Sequence, residues 1–297
     1  PIQHRDFKLY QHAFNIQLDP GQSMRVYARL QSRAVMLIGF SFFEREDFLL
    51  TVSGNHLFLG LFIGVLLALM IYNLILFISL RDRNFLYLFL LGLTFILYDL
   101  TLTGVADEYL WPEGWSDWSY IAPLITSGLL MTMGLLYARH FLETAKRLPT
   151  VNRIMLALMP ISLMSAASSF LNFRISNILT CISGAAVMVL LLTAAIISYR
   201  SGFKAARYFL LSFALTLISG LLFILTIMGM LHLDLTLYIF HLSFAATGIL
   251  LSFAQAERVN VLHETYQERL RHEVESKTDD LKATIGSLNR EIEQRRN

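Results

Sequence analysis

From Leu57 to Ala256, apolar runs of about twenty residues alternate with short polar stretches. A helix needs roughly 17–25 apolar residues to cross a bilayer at about 1.5 Å rise each. Seven runs meet that length, and we place spans at 57–80, 85–103, 118–138, 154–172, 177–199, 208–231 and 235–256. Residues 55–256 are therefore expected to form a membrane all-α fold, a seven-transmembrane helix bundle. The flanks follow other periods. Met24-Arg25-Val26-Tyr27-Ala28-Arg29-Leu30 alternates strictly, the pattern of a half-buried strand. Before it, Asp19-Pro20-Gly21-Gln22 suits a type II turn, because Pro presets the first φ and Gly accepts the positive second one. With further strands at about 7–18 and from Val35 to Phe40, residues 1–54 read as the last strands of a β-sandwich-like extracytoplasmic domain.

From Glu257 the chain turns charged and helical. Thr278, Leu281, Ile285, Leu288 and Ile292 step by 3, 4, 3, 4, a heptad seam. Leu262, Tyr266, Leu270 and Val274 step by four, as at a stutter where a coiled coil locally unwinds. Residues 257–297 are expected to be a cytoplasmic coiled-coil signalling linker, continuous with the last span and paired as a parallel homodimer.

Composition agrees with the pattern. Hydrophobic residues make up 55% of the 297, which places the chain among polytopic membrane proteins with the lipid bilayer as first partner. The net charge of +2 says less than its distribution. Arg81, Arg83, Arg139, Lys146, Arg147, Arg153, Arg200, Lys204 and Arg207 fall in loops on one side, against Arg174 alone on the other. By the positive-inside rule the N terminus is extracytoplasmic and the C terminus cytoplasmic. The chain starts at Pro1 without a signal-peptide core, so a fragment of a longer protein is expected. Cys181, the single cysteine, lies inside a span and gives neither a disulfide framework nor a thiolate metal site.

Candidate chemistry is sparse. Asp99 is the one carboxylate well inside a span, and an intramembrane charge is by default a functional hypothesis. His241 lies at similar depth in the last span. If the two spans are neighbours, the residues form a pH-sensitive pair; otherwise Asp99 is a hydrogen-bonded or wetted structural carboxylate. Asn73 in the first span suits an interhelical hydrogen bond. Gly60 and Gly64 form a small-xxx-small pair suited to close helix contact. Trp111, Trp115 and Trp118 cluster in one loop, as interfacial anchors or as a lid. Pro123 and Pro160 are expected to kink their spans. His272-Glu273 lacks the Arg-Thr-Pro continuation of a phosphoacceptor helix and reads as an exposed coiled-coil histidine, as does His263. No span holds a Lys for a retinal Schiff base, and no His-Glu-x-x-His or phosphate loop occurs. Neither a catalytic site, a cofactor nor a nucleic-acid partner is expected.

These residues carry a resemblance. Gly60 and Gly64, Tyr72-Asn73, Arg81-Asp82 followed by Tyr87, and Gly104 followed by Trp111-Pro112 resemble the bacterial seven-transmembrane receptors with diverse intracellular signalling modules. The strands around Asp19-Pro20-Gly21 and the linker from Arg258 to Arg296 resemble that family's flanks. A second Tyr expected after Tyr87 is absent, where Phe89 and Leu90 stand. The resemblance implies a sensor in the bacterial inner membrane. Its extracytoplasmic domain would be carbohydrate-binding-like, and its output a cytoplasmic histidine kinase or diguanylate cyclase. The alternative from the sequence is a small-molecule transporter or channel with an oligomerising tail.

Overall fold

The computed structural model describes residues 13–16, 18, 21–27, 42–111, 116–227, 230–231 and 235–296. Among the described residues the fold is all-helical, without strands. Gly21 has φ +87°, as the expected turn requires. Residues 13–16 and 22–27, where described, carry no regular structure. The remainder of the expected strands, including 35–40, lies outside the described residues.

Helix α1 (Arg45–Leu80) already begins inside the segment 1–54 expected to belong to the outer domain. The cause is local. Glu44 is extended, Glu46 and Asp47 fill the first turn where carboxylates favour the helix dipole, and no proline follows. At its end, Arg81 takes a left-handed conformation (φ 53°) and donates its N–H to Phe77 O at 2.8 Å. Asp82 then caps α2 (Arg83–Thr103) by accepting from the Asn84 N–H at 2.9 Å. Two residues thus reverse the chain.

Gly104 (φ 82°) ends α2 and leads into the short α3 (Val105–Tyr109). α4 (Ser116–Phe141), α5 (Thr144–Arg147) and α6 (Pro149–Ala167) follow. Helical structure runs through both Pro123 and Pro160. α6 tightens into a 3₁₀ turn at Ser168–Phe170, so this span ends earlier than the expected residue 172. Asn172 caps α7 (Phe173–Arg200) through the Ile175 N–H. α8 (Ala206–Ile227) likewise ends short of 231. α9 (Thr236–Arg296) is one helix of 61 residues.

Among the described residues, seven helices are long and apolar enough to cross a bilayer: α1, α2, α4, α6, α7, α8 and the first part of α9. The chain is a multi-pass membrane protein. The helices close into a ring, α1 on α2, then α4, α6, α7, α8 and α9, which returns to α1. α4 also touches α7 across the ring, and 56% of its apolar window is buried against 22% for α1 and α8. α4 is therefore the central helix.

At the end carrying Arg81, Arg139, Lys146 and Arg200, hereafter the basic end, the interior is solid. Tyr137 stacks on Phe141 (5.5 Å between centroids), Phe141 on Phe209 (5.7 Å) and Phe209 on Phe213 (4.5 Å). Leu135, Leu142, Met155 and Leu251 complete this core. A second cluster of Phe62, Leu66, Met70, Phe95 and Ile96 joins α1 to α2, with Phe244 of α9 against it.

Candidate functional site

The polar residues singled out in the sequence converge on α9. Asp99, on α2, is 1% exposed, and His241, on α9, is 3% exposed; His241 Nε2 lies 3.0 Å from Asp99 Oδ1. The ring N–H is not aligned on the carboxylate, and neither Asp99 oxygen receives an aligned hydrogen bond. The imidazole and the carboxylate are therefore in close contact without a saturated hydrogen-bond shell. The other face of the imidazole is fixed: His241 Nδ1 sits 2.7 Å from Leu237 O, and Phe62 packs edge-on at 4.7 Å. Next to this pair, Phe95 of α2 stacks on Phe244 of α9 at 3.9 Å. One turn towards the acidic end, the Tyr238 hydroxyl donates to Asn55 on α1.

Asn73 binds α9 as well. Its amide donates to Leu69 O at 2.7 Å within α1 and to Ser252 Oγ on α9 at 3.3 Å. Where α9 leaves the bundle, Arg258 reaches Asp82 at 3.4 Å and Glu143 at 3.7 Å. Glu257 pairs with Arg207 of α8 at 2.9 Å. The turn after α1, the turn after α4 and the start of α8 thus form a charged collar around the helix. Gln255, fully buried, lies beside Tyr137 just inside it.

The other family-motif positions do different work. Tyr87 stacks on His140 at 4.4 Å, joining α2 to α4. Arg81 and Gly104 take the two positive-φ positions that bracket α2. Tyr72 is exposed towards lipid. A side chain at Gly60 or Gly64 would meet nothing within 4 Å, so the close contact expected there is not made within this chain. Trp111 packs edge-to-face on Trp118 at 5.8 Å, and Pro112 lies outside the described residues. Arg258, Glu143, Ser252, Tyr238 and Asn55 were not legible as site residues. Each is an ordinary polar residue near a helix end or within an apolar run, given meaning only by a partner far along the chain.

Between α2, α4, α7, α8 and α9 lies a cavity of about 1590 Å³. It begins among Asp107, Glu108, Trp111, Ser119 and Asn177 and reaches Leu88, Leu191, Phe213 and Leu251. Those last four belong to the solid core, which fills the bundle beyond them. Small residues leave part of it open: a Cβ at Gly220 would meet nothing within 4 Å, and one at Gly134 would only touch Leu91 at 4.0 Å. Asp99 and His241 stand just outside its wall, while their neighbours Tyr98 and Phe240 form part of it.

A ring of seven membrane-crossing helices encloses this cavity, and its last helix, gripped by polar contacts, continues far beyond the bundle. The chain belongs to the 7TM diverse intracellular signalling family, whose model matches residues 55–258. Comparison with curated proteins and with solved structures gives no match.

Proposed function

We propose that this chain is the sensing and transmitting part of a transmembrane receptor that relays an extracytoplasmic signal to a cytoplasmic output module, a histidine kinase or a diguanylate cyclase. The acidic end of the bundle faces the outside of a bacterial inner membrane, following the bias of Lys and Arg towards the other end. Residues 1–54 belong to an extracytoplasmic domain with a carbohydrate-like ligand, and the tail pairs two copies as a coiled coil.

The observation that carries this reading is the unbroken course of α9, from Thr236 in the ring to Arg296. A helix cannot shift or rotate at one end without moving the other, because its hydrogen bonds repeat at every residue. Along the tail, Val274, Leu281 and Ile285 stand exposed as an apolar seam with no partner in the single chain, which supports pairing of two copies. Asp99–His241, Asn73–Ser252 and the Arg258 collar would hold α9 in one of two positions, and ligand would favour the other. The filled basic end argues against a transport route.

The test is a phase series. The chain through Arg296 is joined in heptad register to a histidine-kinase core, and one to seven residues are inserted between Lys277 and Thr278. Autophosphorylation is expected to vary with insertion length and return at seven, with four residues locking it on or off. Activity independent of insertion length would overturn the relay.

A further inference from the structure

The cavity has a chemistry of its own at its mouth. Two carboxylates line it, Asp107 and Glu108, and no basic side chain does among the described residues. Among the described residues, none of the ion pairs includes either of them. Asp107 is held in place by the Ser119 hydroxyl, which donates to its Oδ1 at 2.6 Å. Among the described residues, Glu108 Oε2 is buried without a hydrogen-bond partner, and so is the Trp111 indole N–H. Glu108 also keeps the neighbouring Tyr109 phenol above its ordinary pKa, through a hydrogen bond and its negative charge. A buried carboxylate oxygen without a donor is costly unless a ligand supplies one. Trp111, Tyr109 and Tyr120 add ring faces around the same opening, the surfaces on which organic cations rest.

Below the mouth the wall becomes apolar: Phe95, Leu130, Met131, Met188, Phe240 and Phe244. On α9 the lining runs from Phe240 to Leu251, about 16 Å at the rise of a helix. That depth accommodates an extended chain of about ten to twelve carbons and ends on the packed core. A single cation would leave the depth empty, and an uncharged lipid would leave the carboxylates unpaired.

We propose that this cavity binds an amphipathic organic cation, an ammonium head between Asp107 and Glu108 with one apolar tail along α9. The assignment rests on the receptor reading and names the ligand class of its bundle. Occupancy would press on Tyr98 and Phe240, which adjoin Asp99 and His241, and so bias the contact that holds α2 to α9.

The test is equilibrium binding of radiolabelled decylammonium, below its micellar concentration and at neutral pH, to the whole chain in dodecyl maltoside micelles, with empty micelles subtracted. Saturable binding is expected, displaced by the unlabelled cation and at least about tenfold more weakly by decanol or decanoate. Glu108→Gln and Asp107→Asn should each weaken binding by about tenfold. Gly220→Leu should block the tail's path, with Gly220→Ala as the control that keeps it open, since a Cβ there meets nothing within 4 Å. Binding that does not saturate, or that decanol displaces as well as the cation does, would overturn the proposal even if the carboxylate variants failed to fold. Such a result with an intact phase series would reject the ligand class alone, whereas a flat phase series with selective cation binding would reject the relay.

Discussion

At the basic end of the bundle, Tyr137, Phe141 and Phe209 stack with no exposed surface. α4 and α8, the same two helices, reach the acidic end facing a cavity through Ser127, Pro123, Gly220 and Ile224. One pair of helices therefore carries a filled half and a hollow half. In the filled half every large side chain has partners on all sides, and its removal leaves a void. In the hollow half the walls already lack partners, so the helices there can shift at smaller cost. The difference assigns stability to one end of the ring and responsiveness to the other, with α9 running through both.

Five single substitutions probe that division, each read by equilibrium unfolding of the whole chain in mixed micelles. Phe209→Ala in the filled half should cost about 3–5 kcal/mol, whereas Leu217→Ala on the cavity wall should cost about 1 kcal/mol. Equal losses would mean that the two halves are packed alike. His241→Ala should cost about 3 kcal/mol by leaving Asp99 buried without its partner. The double variant with Asp99→Ala should lose less than the two singles added together, and additive losses would separate the residues. Arg258→Ala should cost about 1–2 kcal/mol, with a coupling of about 1 kcal/mol to Asp82, because both carboxylates it serves are partly solvated. Asn73→Ala should cost about 0.6 kcal/mol, the usual scale for a hydrogen bond between membrane helices. A loss above 2 kcal/mol there would assign that contact a larger share in holding α9.

The spans were legible because twenty apolar residues in a row have few alternatives in water. Their ends were less so. Arg45–Val52 is amphipathic enough to fit either a loop or a helix, and Glu46 and Asp47 in the first turn favour the helix. Asp99 and His241 each stood out as polar groups in apolar runs, but nothing in the chain states the order of helices around the ring. That order alone brings α2 against α9. Arg258 and Asp82 are separated by 176 positions, and their contact depends on two turns and the exit angle of a helix. The cavity was hidden for a different reason. It is made of atoms that are not there, at Gly134 and Gly220 on two different helices, and no single stretch of sequence reveals that their open faces meet.

The collar at Arg258 has a mechanical consequence. From there to Arg296 the helix extends by roughly 60 Å, while the part inside the ring is roughly half as long. A shaft held at such a point acts as a lever with its longer arm outside. Tilting it by about five degrees moves the far tip by about 5 Å, close to the pitch of one helical turn. Displacements of an ångström or two beside Phe240 would arrive at the end of the tail multiplied, and the stiffness of the collar would set how much of that leverage is transmitted.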